Sequence, residues 1–114
     1  MSMVLKARRL DDVVILDLSG RITMGEGTLV LRNNIQKLLA EGDRKFLLNL
    51  TDVDYIDSSG LGELVTSFTT VRNQNGELKL LNLTRRVQDL LQITKLLTVF
   101  ESFNSEAEAL KTLK

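Results

Sequence analysis

The part of this chain best equipped for chemistry is the segment DVDYIDSSGLGE, residues 52–63. It holds Asp52, Asp54, Asp57 and Glu63 and no Lys or Arg, although the whole protein balances 15 basic against 15 acidic residues. Asp57 is placed to cap a helix, because its carboxylate can accept from the unpaired backbone N–H groups that follow it. Ser58 then takes the first helical position, with its hydroxyl near the rim. Ser59, Gly60 and Gly62 keep the surface low, so another protein can approach closely. A phosphate on Ser58 would lie against free N–H groups and the positive end of the helix dipole. It would add about −1.5 to −2 charges at neutral pH. The helix should tolerate that charge. Its effect should fall on whatever docks over the helix, since negative charge beside Asp57 repels an acidic or apolar partner surface. By local pattern alone, D-S-S-G before an amphipathic helix also describes an ordinary capped helix start.

Other chemistries lack their parts. A hydrolase built on Ser58 needs an activating base, and the chain has no His and no S-x-x-K at Ser58. D-V-D-Y-I-D lacks the glycine and distal Glu of a calcium loop. With no Cys there is no disulfide, thiol nucleophile or zinc–thiolate site. Gly25 and Gly27 in TMGEG are not followed by GK[ST], so they make no phosphate loop. No catalytic residue, cofactor or metal is expected. Arg85-Arg86 is a basic pair at a helix start and reads as solvated. Five aromatics and no Trp give a poor stacking platform for single-stranded nucleic acid. Zero formal charge gives no pull toward nucleic acid or an anionic membrane. No apolar run approaches the ~20 residues of a membrane helix, and MSMVLKARRLDD lacks the apolar core of a signal peptide. A cytoplasmic protein with no direct membrane insertion is the expectation.

The elements that must hold Ser58 follow from periodicity. The 114 residues are 43% hydrophobic and 26% charged, the balance of one globular domain. Strands are predicted over about 3–10 and 13–19, joined by an Asp11-Asp12 turn and ended by Gly20. Leu31, Ile35, Leu38 and Leu39 mark one face of a helix over about 27–41, closed by Gly42. KFLLNL, residues 45–50, reads as a central strand covered on both faces. TDVDYID reads as a loop. Leu61, Leu64, Val65, Phe68 and Val71 form the clearest helical stripe, over about 58–74, and Asn75-Gly76 stops it. ELKLLNL, residues 77–83, is another strand. Thr84 caps a short helix carrying Val87, Leu90 and Leu91. TKLLTVF, residues 94–100, suggests a short edge strand, and Ser105 with Glu108 fits a capping box for a last helix. This alternation implies an α/β layer fold with right-handed crossovers.

Residues 46–64, FLLNLTDVDYIDSSGLGEL, closely resemble the signature of bacterial anti-sigma factor antagonists, which are stand-alone STAS domains. The LDLSG-R-I, LLNL and L-K-L-L-N-L segments also stand at family-like spacing, and D-S-S-G-L-G is the specific part. The resemblance implies a STAS-type α/β fold: β-α repeats in a four- to five-stranded mixed sheet with helices packed against it, one domain over residues 1–114. It implies a regulator of transcription, not an enzyme. In that mechanism the unphosphorylated antagonist binds an anti-sigma factor that is also a serine kinase, and a sigma factor is released. The kinase phosphorylates the serine after the motif Asp, here Ser58, which breaks the complex. A serine phosphatase restores it. Asp57, Ser59, Gly60 and Leu61 map onto the surrounding partner-binding motif. The chain departs from a common G-E-x-D pattern after the first hairpin, having Gly20-Arg21-Ile22-Thr23 instead. That loop should sit close to Ser58, so Thr23 joins the expected partner-binding residues. Thr23 could alternatively cap the chain toward Glu26, since T-x-x-E fits a capping box. Two other roles suit a STAS protein: a scaffold in a larger signalling assembly, which predicts a stable multimer, and an accessory subunit of a membrane transporter, which predicts an associated ATPase.

Overall fold

The computed structural model describes residues 3–114. The Asp11-Asp12 turn folds strand β1 (Val4–Leu10) back on β2 (Val13–Ile22), with Leu10 opposite Val13 and Val4 opposite Ser19. Helix α1 (Glu26–Ala40) returns the chain to β3 (Lys45–Ile56), which lies parallel to β2. Helix α2 (Ser58–Asn73) leads to β4 (Glu77–Leu81), parallel to β3. Helix α3 (Arg85–Ile93) precedes a two-residue edge strand, β5 (Ser102–Phe103), and α4 (Glu106–Thr112) follows. The sheet runs β1-β2-β3-β4-β5, with only β1 antiparallel, so the fold is the expected α/β arrangement with a five-stranded mixed sheet.

The strand pattern decides the layers. Val14, Leu16, Phe46, Leu48 and Leu80 point to one face and join Leu31, Ile35, Leu64, Val71, Val87 and Leu91 from α1, α2 and α3 in the main core. Val13, Ile15, Leu47 and Leu81 point to the other face, where Ala109 and Leu113 cover them. The first half of β3 is therefore buried on both sides, as its continuous apolar run requires. Beyond it, Asn49 donates to Asp17 at 2.9 Å and Thr51 accepts from Asn82 at 2.9 Å. That stretch of the second face is polar.

Three boundaries differ from the sequence reading. Gly20 does not end β2. It has φ 92 and sits at a register irregularity, beyond which Arg21 pairs with Tyr55 and Ile22 with Ile56. TDVDYI is strand, not loop: Val53 and Ile56 are buried while Asp52 and Asp54 face out, so β3 runs on as a ribbon with β2 after β4 has ended opposite Asn49. TKLLTVF is not a strand. Lys95 takes φ 62, the N–H groups of Leu96 and Leu97 turn back to the Leu91 carbonyl, and Phe100 packs edge-on to Phe68 at 5.2 Å. The apolar residues of this segment close the end of the core, and the edge strand falls just after them. The helix limits otherwise lie within a residue or so of expectation, and Gly42, at φ 102, closes α1.

Candidate functional site

The β2–β3 ribbon delivers the chain to Asp57, the N-cap of α2. One carboxylate oxygen accepts from the Gly60 N–H at 2.7 Å. The other accepts from the Met24 N–H at 3.2 Å, in the loop between β2 and α1. The Asp57 N–H in turn donates to the Ile22 carbonyl at 3.4 Å. Asp57 thus ties together the end of β2, the loop after it and the start of α2. The Gly60 N–H, then those of Met24 and Ser59, hold its carboxyl below the usual carboxylate range, against a smaller opposing effect of burial.

Ser58 is the first residue of α2 and is exposed; Ser59 beside it is half-buried. Thr23, half-buried, lies in the loop that Asp57 grips. Asp57, Ser58, Ser59 and Thr23 are therefore brought to one place. Gly60 and Leu61 are buried and support this rim from below, so neither presents the side of α2 to a partner in this conformation. Gly60 is small for a reason other than a low surface: a Cβ there would stand 1.9 Å from the Ile22 carbonyl oxygen. The helix start is seated on the end of β2. Gly62, with open space around it, does face outward.

The T-x-x-E box at Thr23 does not form. The N-cap of α1 is Gly25 and no side chain caps it; Thr23 contributes its backbone carbonyl, which accepts from the Thr28 N–H at 3.2 Å. Asp57 holds that loop instead.

The segment's acidic character is also altered by folding. Glu63 turns inward, and Arg32 of α1 donates to it at 3.1 and 2.8 Å. Its side chain is only 3% exposed, so this pair pins α1 to α2. Arg21 and Arg86 lie over the Tyr55 ring, at 5.5 and 5.4 Å from its centroid. The sequence reads Arg86 as solvated and does not show that Arg21, Arg32 and Arg86 meet this segment, because they arrive from β2, α1 and α3. Among the described residues no three acidic side chains group as a metal-binding set, and no helix is long and apolar enough to cross a membrane.

This arrangement can be compared with known proteins. The model of the STAS domain family matches residues 5–109. An anti-sigma-B factor antagonist of Bacillus subtilis is 40% identical over 72 residues, which span 63% of this chain and 65% of that protein, just under two thirds of its length. The crystal structure of TM1081 from Thermotoga maritima superposes with a TM-score of 0.88 at 26% identity, covering 96% of this chain and 93% of that one. The Bacillus cell fate determinant SpoIIAA, in its phosphorylated form, has the same fold at a TM-score of 0.75 and 18% identity, covering 97% of this chain and all of its own. The chain therefore belongs to the STAS domain family, alongside the anti-sigma factor antagonists.

Proposed function

We propose that this protein is a phosphorylation-controlled partner switch: an antagonist that binds an anti-sigma factor when Ser58 is free and releases it when Ser58 carries a phosphate. The observation that carries the reading is the exposed Ser58 on a start of α2 whose neighbours are already fixed. Asp57 has both carboxylate oxygens engaged with backbone N–H groups, and the buried Gly60 seats the helix on β2. A phosphate can be added there without a new fold. It would stand beside the Asp57 carboxylate, so the local potential turns strongly negative. A partner that docks over Thr23, Asp57, Ser58 and Ser59 with an acidic or apolar surface is then repelled.

The named relatives support the choice of partner, since the B. subtilis protein is an antagonist of an anti-sigma factor. On this reading the anti-sigma factor is itself the serine kinase, a serine phosphatase removes the phosphate, and both work with the protein in the cytoplasm. The protein contributes no catalytic group. Its hydroxyl is the substrate.

The test is capture of partners from native extract on the tagged protein, with intact-mass measurement before and after ATP. The expected result is recovery of an ATPase with serine-kinase activity, gain of one phosphate on Ser58, and loss of the captured partner. A Ser58→Ala variant that still gains a full equivalent of phosphate from that kinase overturns the site. Recovery of a transporter subunit in place of a kinase overturns the partner.

A further inference from the structure

The apolar half of the second sheet face is covered by one short helix, α4, and a buried cation, Lys79, lies beneath that helix. We propose that α4 is a releasable strap: it leaves the sheet as a unit while the main core stays folded, and Lys79 makes the release easy.

The attachment of α4 is slight. Ala109 and Leu113 are buried and Leu110 is half-buried, over Val13, Ile15, Leu47 and Leu81. Helices α1, α2 and α3 pack into the larger core on the opposite face, which α4 does not enter. Among the described residues no backbone–backbone hydrogen bond joins α4 to the sheet. Side chains clasp its two ends instead. At the first turn, Arg8 of β1 donates to Glu106 at 2.5 Å and to Asp17 at 2.7 Å. Arg8 and Glu106 are both partly exposed, so water weakens that pair. At the last turn, Lys79 of β4 donates to the Thr112 hydroxyl at 3.0 Å and to the Thr112 carbonyl at 3.5 Å. A helix of seven residues does not persist alone in water, so α4 is either docked or unravelled.

Lys79 decides how firmly α4 docks. Its side chain is only 7% exposed, under the Phe103 ring at 5.8 Å from the centroid. The nearby carboxylates of Glu101, at 3.5 Å, and Glu77, at 3.9 Å, are themselves well exposed. They compensate poorly for the hydration that the ammonium gives up when α4 covers it. An apolar side chain of the same length would hold α4 more firmly, and both carboxylates could turn to water. When α4 leaves, Lys79 regains its hydration. Release also bares an apolar strip, Val13, Ile15, Leu47 and Leu81, across β2, β3 and β4. The charge beside that strip opposes indiscriminate association while it is open. The strap lies on the sheet face opposite α2, so the proposal does not rest on the phosphorylation of Ser58.

The experiment is native-state amide hydrogen exchange of the whole protein, followed by NMR over urea concentrations below the unfolding transition. The amides of residues 109–113 should exchange about a hundredfold or more faster than those of Leu16 and Leu48, and their rates should depend less on urea. Lys79→Met should slow the exchange of residues 109–113 about tenfold, since it removes the cost of burying the ammonium. Ala109→Asp should abolish protection in α4 and leave the amide positions of α1, α2 and α3 in place. Three results would overturn the proposal. One is exchange of residues 109–113 at the rate and urea dependence of Leu48. Another is a Lys79→Met variant whose α4 exchanges as fast as the parent's or faster. The third is an Ala109→Asp variant that loses α1, α2 and α3 together with α4.

Discussion

Gly60 and Gly62 are two residues apart on α2, yet alanine should do opposite things at them. At Gly60 the added Cβ would lie 1.9 Å from the Ile22 carbonyl oxygen and 2.8 Å from both the Ile22 carbonyl carbon and Ile56 Cγ1. Two of those atoms are backbone, so rotamer changes cannot relieve the clash. The start of α2 must lift from β2 by at least ~1 Å, since packed interiors leave no spare room. Overpacking of this kind costs about 1–3 kcal/mol. The move also stretches the Asp57 N–H bond to Ile22 and the Met24 N–H bond to Asp57, each worth about 1 kcal/mol. Alanine's better helix propensity returns up to about 1 kcal/mol. The net expectation is a loss of about 2–4 kcal/mol, which at a mid-range urea slope of about 2 kcal/mol/M lowers the midpoint by about 1–2 M. At Gly62 the added methyl meets nothing within 4 Å, so Gly62→Ala should gain about 0.5–1 kcal/mol from propensity alone. Urea unfolding followed by circular dichroism measures both. If Gly60→Ala unfolds within about 0.3 M of the parent, α2 is not seated on β2 as described, and the account of how Ser58 is positioned fails with it.

Arg32→Ala should destabilise by about 2–3 kcal/mol, because it leaves the Glu63 carboxylate buried without its partner. The half-exposed position of Arg32 keeps the loss below that of a fully buried pair. Arg32→Met combined with Glu63→Gln should recover most of it, and thermal or urea melts of the three proteins decide. Asp57→Asn keeps a good N-cap but removes a carboxyl that the Gly60, Met24 and Ser59 N–H groups hold below its ordinary value. The charged form is favoured in the folded state, so its contribution is present above the unfolded carboxylate range, about 3.9, and is lost as pH falls through the lower folded value. The stability gap between parent and Asp57→Asn should therefore narrow below about pH 4; a gap that widens there contradicts the assignment. Ser58→Ala should fold within about 0.5 kcal/mol of the parent, take no phosphate and keep its partner. Ser58→Asp should bind that partner more weakly, as equilibrium binding of purified components will show.

Most of the scaffold was readable because its signals are local. The stripe from Leu61 to Val71 sets α2, and D-S-S-G sets its cap. What was hidden depended on pairing between distant segments. Residues 51–57 read as a loop because three aspartates crowd a short span, yet Val53 and Ile56 need only every second or third position to enter the core, and β2 supplies the hydrogen-bond partner. TKLLTVF looked like a strand because it is apolar, but its carbonyl and N–H groups are used in turns that fold it over Phe68. By sequence, Gly60 belongs to a low surface and Glu63 to an acidic patch. Both residues point inward, and only the approach of β2 and of Arg32 explains why.

Those two inward residues bear on how a switch at Ser58 would work. The rim is braced from three directions: by Asp57 to the β2–α1 loop, by Gly60 to the end of β2, and by Glu63 to α1. A phosphate on Ser58 adds charge but touches none of the three braces. Its repulsion from Asp57 has few ways to relax through movement of the helix, because moving the helix would break backbone contacts and unpair a buried carboxylate. The electrostatic change is instead passed outward to the docked surface. A loosely held helix start could yield to the same charge and spend part of it on local rearrangement, so rigidity here makes the switch stronger.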